Sequence, residues 1–482
     1  MATLLAVASA AACGGGADLD RDPTPDADSS GQPGEPDASP ELPAWQPGLP
    51  PASQMEAPRG LTPMRGIVHL HSPYSHDACD GEPRAKDGAL NQVCLQHLRD
   101  ALCATRIDFA ALTDHDDSMA DEPWGEELFL VREGDRVFEG EAGPVASAMA
   151  CPDGHEVILT VGSENDLMPV MLDRHPDGDA QARHDAYNAS DPAAVASFRA
   201  LGGLVWVAHS ESRDPATLAA LELDGMEIFN LHAAIDPDIR EESLGLDGAA
   251  AIQRALEFAD ADPSGPEPDL TILAFMEPHV PSLARWETLL GAGQRVVATA
   301  GTDAHENAVP IPFRDGERGD SYRRTLRWFS NIVLAAEPGD PQAIEQALDA
   351  GRAFVAFEIL GTPVGFDVRA ERAAGEAVEM GGEIAVADGA TIVATTPSVL
   401  ELDPSLPRPE IRTVILRIDA EGSEEIASGD GEVTAPADQP GAYRAEVRIT
   451  PHHLGPYLGT LGTEYAEVER VWIYSNPIYV VP

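Results

Sequence analysis

Five short apolar runs of this sequence end on residues that commonly bind metal ions. With the side chains that follow them, the runs are Ile67-Val68-His69-Leu70-His71, Phe109-Ala110-Ala111-Leu112-Thr113-Asp114-His115, Val157-Ile158-Leu159-Thr160-Val161-Gly162-Ser163-Glu164, Leu204-Val205-Trp206-Val207-Ala208-His209 and Val296-Val297-Ala298-Thr299-Ala300-Gly301-Thr302-Asp303-Ala304-His305. Imidazole and carboxylate groups together suit divalent ions such as zinc, manganese or iron. A single His-x-His pair is weak evidence, but five such endings predict a site for several metal ions.

Short apolar runs of this kind are typical of buried parallel strands. Between residues 61 and 360 they alternate with helical stretches, a pattern that indicates repeated β-α units. In barrel-like α/β folds, groups at the C-terminal ends of the strands converge on one site. We therefore expect an α/β domain over residues 61–360. Its further expected strands are 225–230, 271–276, 331–335 and 353–360, with a helix over 341–350.

The composition excludes several classes of function. The 482 residues include 82 acidic and 31 basic side chains, for a formal net charge of −51, which argues against a nucleic-acid-binding surface. Lys86 is the only lysine, and it lies in a polar stretch. The chain therefore has no Gly-x-x-x-x-Gly-Lys phosphate loop and no suitable lysine for Schiff-base chemistry.

The metal-binding endings resemble, in order, the motifs of the PHP (polymerase and histidinol phosphatase) family. The matching segments are His69-Leu70-His71-Ser72-Pro73-Tyr74-Ser75, Thr113-Asp114-His115-Asp116, Gly162-Ser163-Glu164, Ala208-His209-Ser210 and Gly301-Thr302-Asp303-Ala304-His305. The resemblance extends from Pro63 to Leu360. It implies a distorted seven-stranded, TIM-like β/α barrel that holds two or three divalent ions, and phosphoesterase activity.

Carried over by position, the resemblance also implies a set of ligands. One metal would be held by His69, His71, Glu164 and Asp303, with Glu164 bridging to a second metal. His209 and an upstream histidine would complete the second site, where His175 fits best and His184 is the alternative. His115 and His305 would hold a third metal with a residue of the loop after the first motif. That residue is His76, at the position where the family often has aspartate, or the adjacent Asp77.

The expected reaction is hydrolysis of a small phosphorylated substrate by a metal-bound hydroxide, for which we expect Asp303, His209 and Glu164 to be essential. One alternative is an amidohydrolase-like enzyme acting on a non-phosphate substrate. Binuclear members of that superfamily commonly use a carboxylated lysine on a strand, a place that Lys86 does not occupy. A second alternative is a non-catalytic, lipid-anchored binding protein whose metal ions only stabilise the fold.

Other polar residues are candidates for the substrate pocket. Those near the predicted strand ends are Glu211, Arg213, Asn230, His232 and His279. Four arginines are further candidates, namely Arg314, Arg318, Arg323 and Arg324. We expect them either to contact a phosphate of the substrate or to form a solvated helix face.

The N-terminal region has the features of an export signal and a tether. Residues 1–13 contain a short, alanine-rich apolar run ending at Cys13, which resembles the lipobox of bacterial lipoproteins. We therefore expect an exported cell-envelope protein that contacts the membrane only through a lipid on Cys13. Residues 14–60 contain ten prolines, seven glycines and nine acids, a composition that predicts a disordered tether.

The other four cysteines are Cys79, Cys94, Cys103 and Cys151. An even number in an exported protein favours two disulfides over four reduced thiols. Cys94 and Cys103 are expected on one helix, where nine residues correspond to a rise of about 13 Å. That distance is too long for a bridge between them, so each is expected to pair with Cys79 or Cys151.

The pattern changes after residue 360. Short β-like runs separated by glycine, proline and aspartate predict a β-sandwich domain over residues 361–482. This segment contains no cluster of ligand-type residues.

Overall fold

The computed structural model describes residues 42–259, 261–373 and 375–482. Its strands, in chain order, are β1 (Thr62–Leu70), β2 (Phe109–Leu112), β3 (Arg136–Glu139), β4 (Pro144–Ala150), β5 (Glu156–Val161), β6 (Met168–Val170), β7 (Leu204–Val207), β8 (Gly225–Asn230), β9 (Val297–Gly301), β10 (Ser330–Ala335), β11 (Ala353–Ala356), β12 (Pro363–Val364), β13 (Asp367–Glu371), β14 (Ala377–Glu379), β15 (Glu383–Ala385), β16 (Thr391–Thr395), β17 (Ser398–Val399), β18 (Glu410–Asp419), β19 (Gly422–Gly429), β20 (Glu432–Pro436), β21 (Gly441–Thr450), β22 (Arg470–Ser475) and β23 (Ile478–Val481).

Shorter stretches of helix connect these strands. The α-helices are α1 (Ala78–Gly81), α2 (Gln92–Ala104), α3 (Asp116–Met119), α4 (Ala180–Tyr187), α5 (Pro192–Ala200), α6 (Pro215–Leu221), α7 (Leu231–Ile235), α8 (Pro237–Ile239), α9 (Gly248–Leu256), α10 (Val280–Gly291), α11 (Tyr322–Trp328), α12 (Pro341–Asp349) and α13 (Gly462–Tyr465). No helix within the described ranges is long and apolar enough to cross a membrane.

Several helices begin with the same local signal, an aspartate followed by proline. Asp191, Asp214 and Asp340 precede the first prolines of α5, α6 and α12, and their side chains accept backbone N–H bonds of 2.9 to 3.1 Å. The aspartate satisfies a free N–H group of the first turn, and proline lacks the N–H that would otherwise be unpaired there. These caps explain why each of the three helices starts at its proline.

All five predicted metal-binding endings follow strands of the structure, namely β1, β2, β5, β7 and β9. Strands β1, β2 and β5 pair in parallel within one large sheet. Strands β7, β8 and β9 pair in parallel within a second, four-stranded sheet. The C-terminal ends of each parallel set therefore face the same way, as the sequence pattern predicts.

The two sheets approach each other at the ends of β1 and β9. The backbone N–H of Asp303 donates to the carbonyl of His69, and that of His71 donates to the carbonyl of Ala304, both at 3.2 Å. The mixed α/β architecture is as predicted, but the strands of the described residues form no closed barrel. Antiparallel pairing also departs from a strict β-α repeat, because β10 lies antiparallel to β1.

Residues 271–276, expected as a strand, belong mostly to a 3-10 helix over Pro268–Ala274. Local bonds stabilise this turn, since the hydroxyl of Thr271 donates to the carbonyl of Pro268 at 2.5 Å. The indole of Trp328 also donates to the carbonyl of Asp269 at 2.7 Å, within the same 3-10 helix. The apolar run is buried as expected, but its backbone is not extended.

The C-terminal region is rich in β-strands, as predicted. Four of its strands form a separate sheet in the order β14-β13-β16-β20. Others continue the large sheet, because β22 pairs with β11 through Phe354↔Ser475 and Ala356↔Ile473. The large sheet therefore continues across the predicted domain boundary at residue 360. Pro43–Pro482 form one compact unit.

The predicted tether is partly wrong. Trp45 donates its indole N–H to Asp269 at 2.8 Å, Met55 is buried, and Arg59 forms an ion pair with Asp367 at 2.6 Å. These apolar and charged anchors hold the segment from residue 43 onward against the body of the protein, although its proline content suggested disorder. The signal-like residues 1–13, Cys13 and the tether up to residue 41 lie outside the described residues.

The described part of the chain contains two disulfides, and both involve helix α2. Cys79 bonds to Cys94 and Cys103 bonds to Cys151, with Cα–Cα distances of 5.8 and 5.6 Å. The prediction that Cys94 and Cys103 do not pair with each other is confirmed. The first bridge fixes the loop after β1, where Asp77 lies, to the surface of the helix.

Candidate metal centre

Three overlapping groups of imidazole and carboxylate side chains meet where the two sheets approach. In each group the potential ligand atoms all lie within 4.8 Å of one another. The groups are His69, His71, Glu164 and Asp303; His209, His232 and Asp303; and His71, Asp77, His115 and His305. His71 and Asp303 each belong to two groups, so the three form one continuous cluster.

The first group is almost completely shielded from solvent. The Nε2 atoms of His69 and His71 lie 3.1 Å apart, and each is 3.2 Å from Oε2 of Glu164. Oδ1 of Asp303 is 3.5 Å from His69 Nε2 and 3.3 Å from His71 Nε2. Four potential ligand atoms therefore converge on one small volume, at distances that place each within reach of a common cation.

The second group uses the other oxygen of Asp303, and the other oxygen of Glu164 lies close to its His209. His209 Nε2 lies 3.0 Å from Oδ2 of Asp303 and 3.5 Å from Oε1 of Glu164. His232 Nδ1 lies 3.4 Å from Oδ2 of Asp303. Glu164 and Asp303 thus each direct one oxygen to the pair His69 and His71 and the other to His209.

The third group is formed at the loop after β1. His305 Nε2 lies 3.1 Å and His115 Nε2 lies 3.6 Å from Oδ2 of Asp77. Of the two alternatives for this position, the structure brings Asp77 into the group and leaves His76 outside it. The His76 side chain is 53% exposed, and its Nδ1 lies 2.8 Å from Asp117.

Hydrogen bonds fix the orientation of most of the imidazoles. In five of them Nε2 faces the cluster, while Nδ1 is engaged by another group of the chain. The Nδ1 contacts are His69 with Glu227 Oε1 at 2.7 Å, His71 with Ser75 Oγ at 3.1 Å, His115 with the Glu164 carbonyl at 3.1 Å, His209 with Glu211 Oε1 at 3.2 Å and His305 with the Asp303 carbonyl at 2.6 Å. Metal-binding histidines are characteristically oriented by such contacts on the second ring nitrogen.

Two features of the backbone and side chains indicate a site built for ligands rather than for stability. His209 and Asp303 both have a φ of 49°, in the left-handed region that non-glycine residues rarely adopt. Oδ1 of Asp303 is buried without a hydrogen-bond partner. Burying such polar atoms is costly unless another group satisfies them, and a cation between the imidazoles would do so for the carboxylate oxygen.

The charges of the cluster raise the pKa values of His69, His115, His209 and His305. Burial alone would lower the pKa of His69, but Glu164, Asp303 and Glu227 outweigh it and raise that pKa well above the ordinary value. Burial likewise opposes the shift of His115, whose pKa is raised to about 9 by Asp77 and Glu164. The raised pKa values favour the protonated form of these imidazoles in the metal-free protein. A bound divalent ion has to displace these protons, so metal affinity is expected to rise with pH.

The structure does not bring His175 or its alternative His184 to the cluster, which corrects the predicted second site. His175 is buried with Nδ1 2.9 Å from the hydroxyl of Tyr187 and Nε2 3.1 Å from the carbonyl of Glu122. Both ring nitrogens of His184 face carboxylates, Asp116 at 2.8 Å and Asp121 at 3.1 Å. Neither histidine offers a free nitrogen to Glu164 or His209.

His232 occupies the place that sequence reasoning gave to His175. It was expected only as a pocket residue, yet it lies two residues after β8, a strand end like the other five. Of the other pocket candidates, Glu211 supports His209, and Asn230 Nδ2 lies 3.5 Å from Asp303 Oδ2. Arg213 pairs with Asp166 at 2.6 Å, and the ring of His279 packs 4.4 Å from that of Phe229. Applying the strand-end rule to residues 225–230 would have identified His232.

We expect His232→Ala to weaken the binding of one metal ion by at least about a hundredfold. Loss of a group that merely orients a ligand already costs about 10- to 100-fold in affinity, and His232 is placed as a ligand itself. His175→Ala is the matched control, and it should leave the metal content unchanged. The measurement is the number of metal ions retained per chain after dialysis. Equal retention by the two variants would contradict a ligand role for His232.

A fourth group of acids does not resemble a metal site. Asp269, Asp315 and Glu317 also lie close together, but arginines already neutralise them. Arg324 lies 2.6 Å from Asp269 and 2.9 Å from Asp315, and Arg323 pairs with both Asp269 and Glu317. These guanidinium groups therefore serve the fold rather than a substrate phosphate.

No protein-family model and no curated protein matches this sequence. Among solved structures, a two-domain protein from Bacteroides vulgatus, described as containing a predicted PHP-like metal-dependent phosphoesterase, matches with 13% identity over 88% of this chain and 99% of its own, at a TM-score of 0.31. PsfC from Pseudomonas syringae matches with 13% identity over 58% of this chain and 87% of its own, at a TM-score of 0.30.

A third similar structure is the lesion-specific endonuclease EndoQ from Pyrococcus furiosus. It matches with 12% identity over 66% of this chain and 64% of its own, at a TM-score of 0.30. The first of the three is described by the same family name to which the sequence motifs point. The arrangement of the site residues is the basis for the function proposed below.

Proposed function

We propose that this protein is a metal-dependent hydrolase that cleaves a phosphoester bond in a small phosphorylated substrate, with two or three divalent ions at the cluster. The observation that carries this proposal is the placement of Glu164 and Asp303. Each carboxylate presents one oxygen to His69 and His71 and the other to His209. Carboxylates with their oxygens divided in this way are suited to bridging two cations.

The residues present fit such ions. Neutral imidazole and carboxylate groups are the ligands that zinc, manganese and iron accept, and the unpartnered Asp303 oxygen faces the pair His69 and His71. Two divalent ions held there would stabilise the charge of a phosphoryl group in displacement and lower the pKa of a nearby water. The chain itself supplies the placement of these groups and the exclusion of bulk water.

The exposure of the imidazoles indicates where a substrate enters. His69 and His71 are fully buried and close the inner end of the cluster. The side chains of His115, His209 and His232 are 27%, 23% and 38% exposed and line its outer side. A phosphate group would therefore approach between these three residues, with Glu164 and Asp303 beneath it.

The arginines expected to contact a phosphate are engaged elsewhere. Arg314 pairs with Glu267 at 3.1 Å, and Arg318 pairs with Asp80 at 2.8 Å and Asp320 at 2.6 Å. Arg323 and Arg324 are held by the acids around Asp269. The attraction for an anion on a chain of net charge −51 would therefore come from the bound cations, which reverse the local field.

The test is hydrolysis of p-nitrophenyl phosphate by the full chain before chelation, after chelation, and after addition of Mn²⁺, Zn²⁺ or Fe²⁺. We expect activity to disappear with the chelator and return with at least one metal. The metal-free protein without added ions is the control for background hydrolysis. Absence of turnover from protein shown to contain two or more ions per chain would contradict the phosphoesterase proposal and favour a non-phosphate substrate.

A further inference from the structure

One buried carboxylate beside the cluster belongs to none of the three groups. Glu227 lies on β8 and is 2% exposed. Its Oε1 accepts a hydrogen bond from Nδ1 of His69 at 2.7 Å. Its Oε2 accepts from the amide side chain of Asn230 at 2.9 Å and from the backbone N–H of His209 at 3.3 Å. A single side chain thus connects β8 to the ends of β1 and β7.

Strand β9 is shaped to accommodate the same carboxylate. A Cβ atom at Gly301 would lie 1.9 Å from Oε1 and 2.4 Å from the carboxyl carbon of Glu227, distances at which the carboxylate would have to move. Gly301 pairs with Asn230 across the sheet and precedes Asp303 by two residues. The absence of a side chain at position 301 therefore lets Glu227 reach His69 directly beside the strand that carries Asp303.

We infer that Glu227 is a positioning residue of this metal centre. Because the Glu227 carboxylate accepts a hydrogen bond, His69 must carry a proton on Nδ1. This bond orients the ring so that Nε2 faces Glu164 and Asp303. Glu227 also holds the backbone N–H of His209, which is in a left-handed conformation, and thereby fixes the turn that carries this second imidazole. This role rests on the proposed function, since it assumes that the cluster holds metal ions.

Only a carboxylate satisfies all three donors around this side chain. Glutamine at position 227 would have nearly the same size, but one end of its amide would be an NH₂ group. In one orientation this NH₂ faces Asn230 and the N–H of His209, and in the other it faces Nδ1 of His69. In either orientation two hydrogen-bond donors face each other. Glu227→Gln therefore disturbs the placement of His209 or of His69 without leaving a cavity.

The experiment measures Co²⁺ binding to the full chain by the visible absorption of the bound ion, which reports the number and type of its ligands. For Glu227→Gln we expect a loss of Co²⁺ affinity of about 10- to 100-fold and a changed absorption spectrum. Gly301→Ala should produce a similar change, because its Cβ displaces the same carboxylate. Glu446→Gln is the matched control, since Glu446 is another buried carboxylate but is paired with Arg444 at 2.8 Å, away from the cluster.

The outcomes separate this inference from the proposed function. If the wild type binds Co²⁺ and the folded Glu227→Gln variant binds it with equal affinity and an equal spectrum, the positioning role is wrong and the metal centre stands. If Glu446→Gln changes the spectrum as much as Glu227→Gln does, the effect is general destabilisation and the role is again wrong. A wild type that binds no Co²⁺ overturns both proposals, whereas metal binding without phosphoester hydrolysis overturns the proposed function alone.

Discussion

Replacing Asp303 by asparagine is expected to lower the rate of phosphoester hydrolysis by about a thousandfold, equivalent to about 4 kcal/mol of transition-state stabilisation. Asp303 contributes to two of the three groups, with Oδ1 near His69 and His71 and Oδ2 near His209 and His232. Asparagine keeps the shape but removes the charge and one of the two acceptor oxygens. The measurement is kcat/KM for p-nitrophenyl phosphate, together with the number of metal ions per chain.

The control for this prediction is Asp367→Asn. Asp367 is also buried, but it pairs with Arg59 at 2.6 Å and Arg369 at 2.8 Å, far from the cluster in the sheet of β13. Its replacement should leave kcat/KM and metal content unchanged. If Asp303→Asn retained kcat/KM and metal content near the wild-type values, Asp303 would not act as a ligand through both of its oxygens.

Replacing Arg65 by methionine is expected to reduce the free energy of unfolding by about 3–5 kcal/mol. Arg65 on β1 is fully buried, and its Nε and Nη2 lie 2.6 and 2.8 Å from the two oxygens of Glu358. Burial would raise the pKa of Glu358, but the charge of Arg65 and its hydrogen bonds outweigh burial and keep that pKa below its ordinary value. Without Arg65 the carboxylate is buried with no opposite charge, and urea denaturation at pH 7 measures the cost.

Two comparisons distinguish this from a general packing defect. The double variant Arg65→Met with Glu358→Leu should recover much of the lost stability, because an apolar pair of similar size leaves no buried charge. Arg136→Met breaks a pair that is about half exposed and should cost only about 0–1 kcal/mol. In the wild type, the depressed pKa of Glu358 stabilises the fold above the unfolded-state pKa, and this contribution disappears as the pH falls through the folded-state pKa. Equal losses for the Arg65 and Arg136 variants would contradict the prediction.

The local pattern was sufficient to predict the strands that carry the site. Runs such as Val297-Ala298-Thr299-Ala300 are apolar because both faces of the strand are buried, and this requirement is visible in the residues themselves. The helix over Pro341–Asp349 was predictable for a similar reason, since its aspartate cap and first-turn proline act within a few residues. The run at 271–276 was mispredicted because burial is common to strands and helical turns, and its local hydrogen bonds decide between them.

Pairing between distant parts of the chain was not predictable in the same way. Whether His175 or His232 stands beside His209 depends on how β6, β7 and β8 are placed in the second sheet. The support given by Glu227 likewise depends on β8 lying next to β9, with Gly301 opposite Asn230. Such contacts depend on the order of the strands in the sheet. The residue pattern of a single strand does not specify which strand lies next to it.

The sequence by itself determined which residue types stand at the strand ends and that Lys86 is the only lysine, and from these residue types it predicted a site for divalent metal ions. Only the tertiary structure decided that Asp77 rather than His76 joins the third group, that His232 replaces His175, and that the C-terminal strands extend the large sheet. The physical reason is the range of the forces involved. Burial and capping act on neighbouring residues and leave a mark in the sequence, whereas ligand geometry depends on where separate strands are brought together.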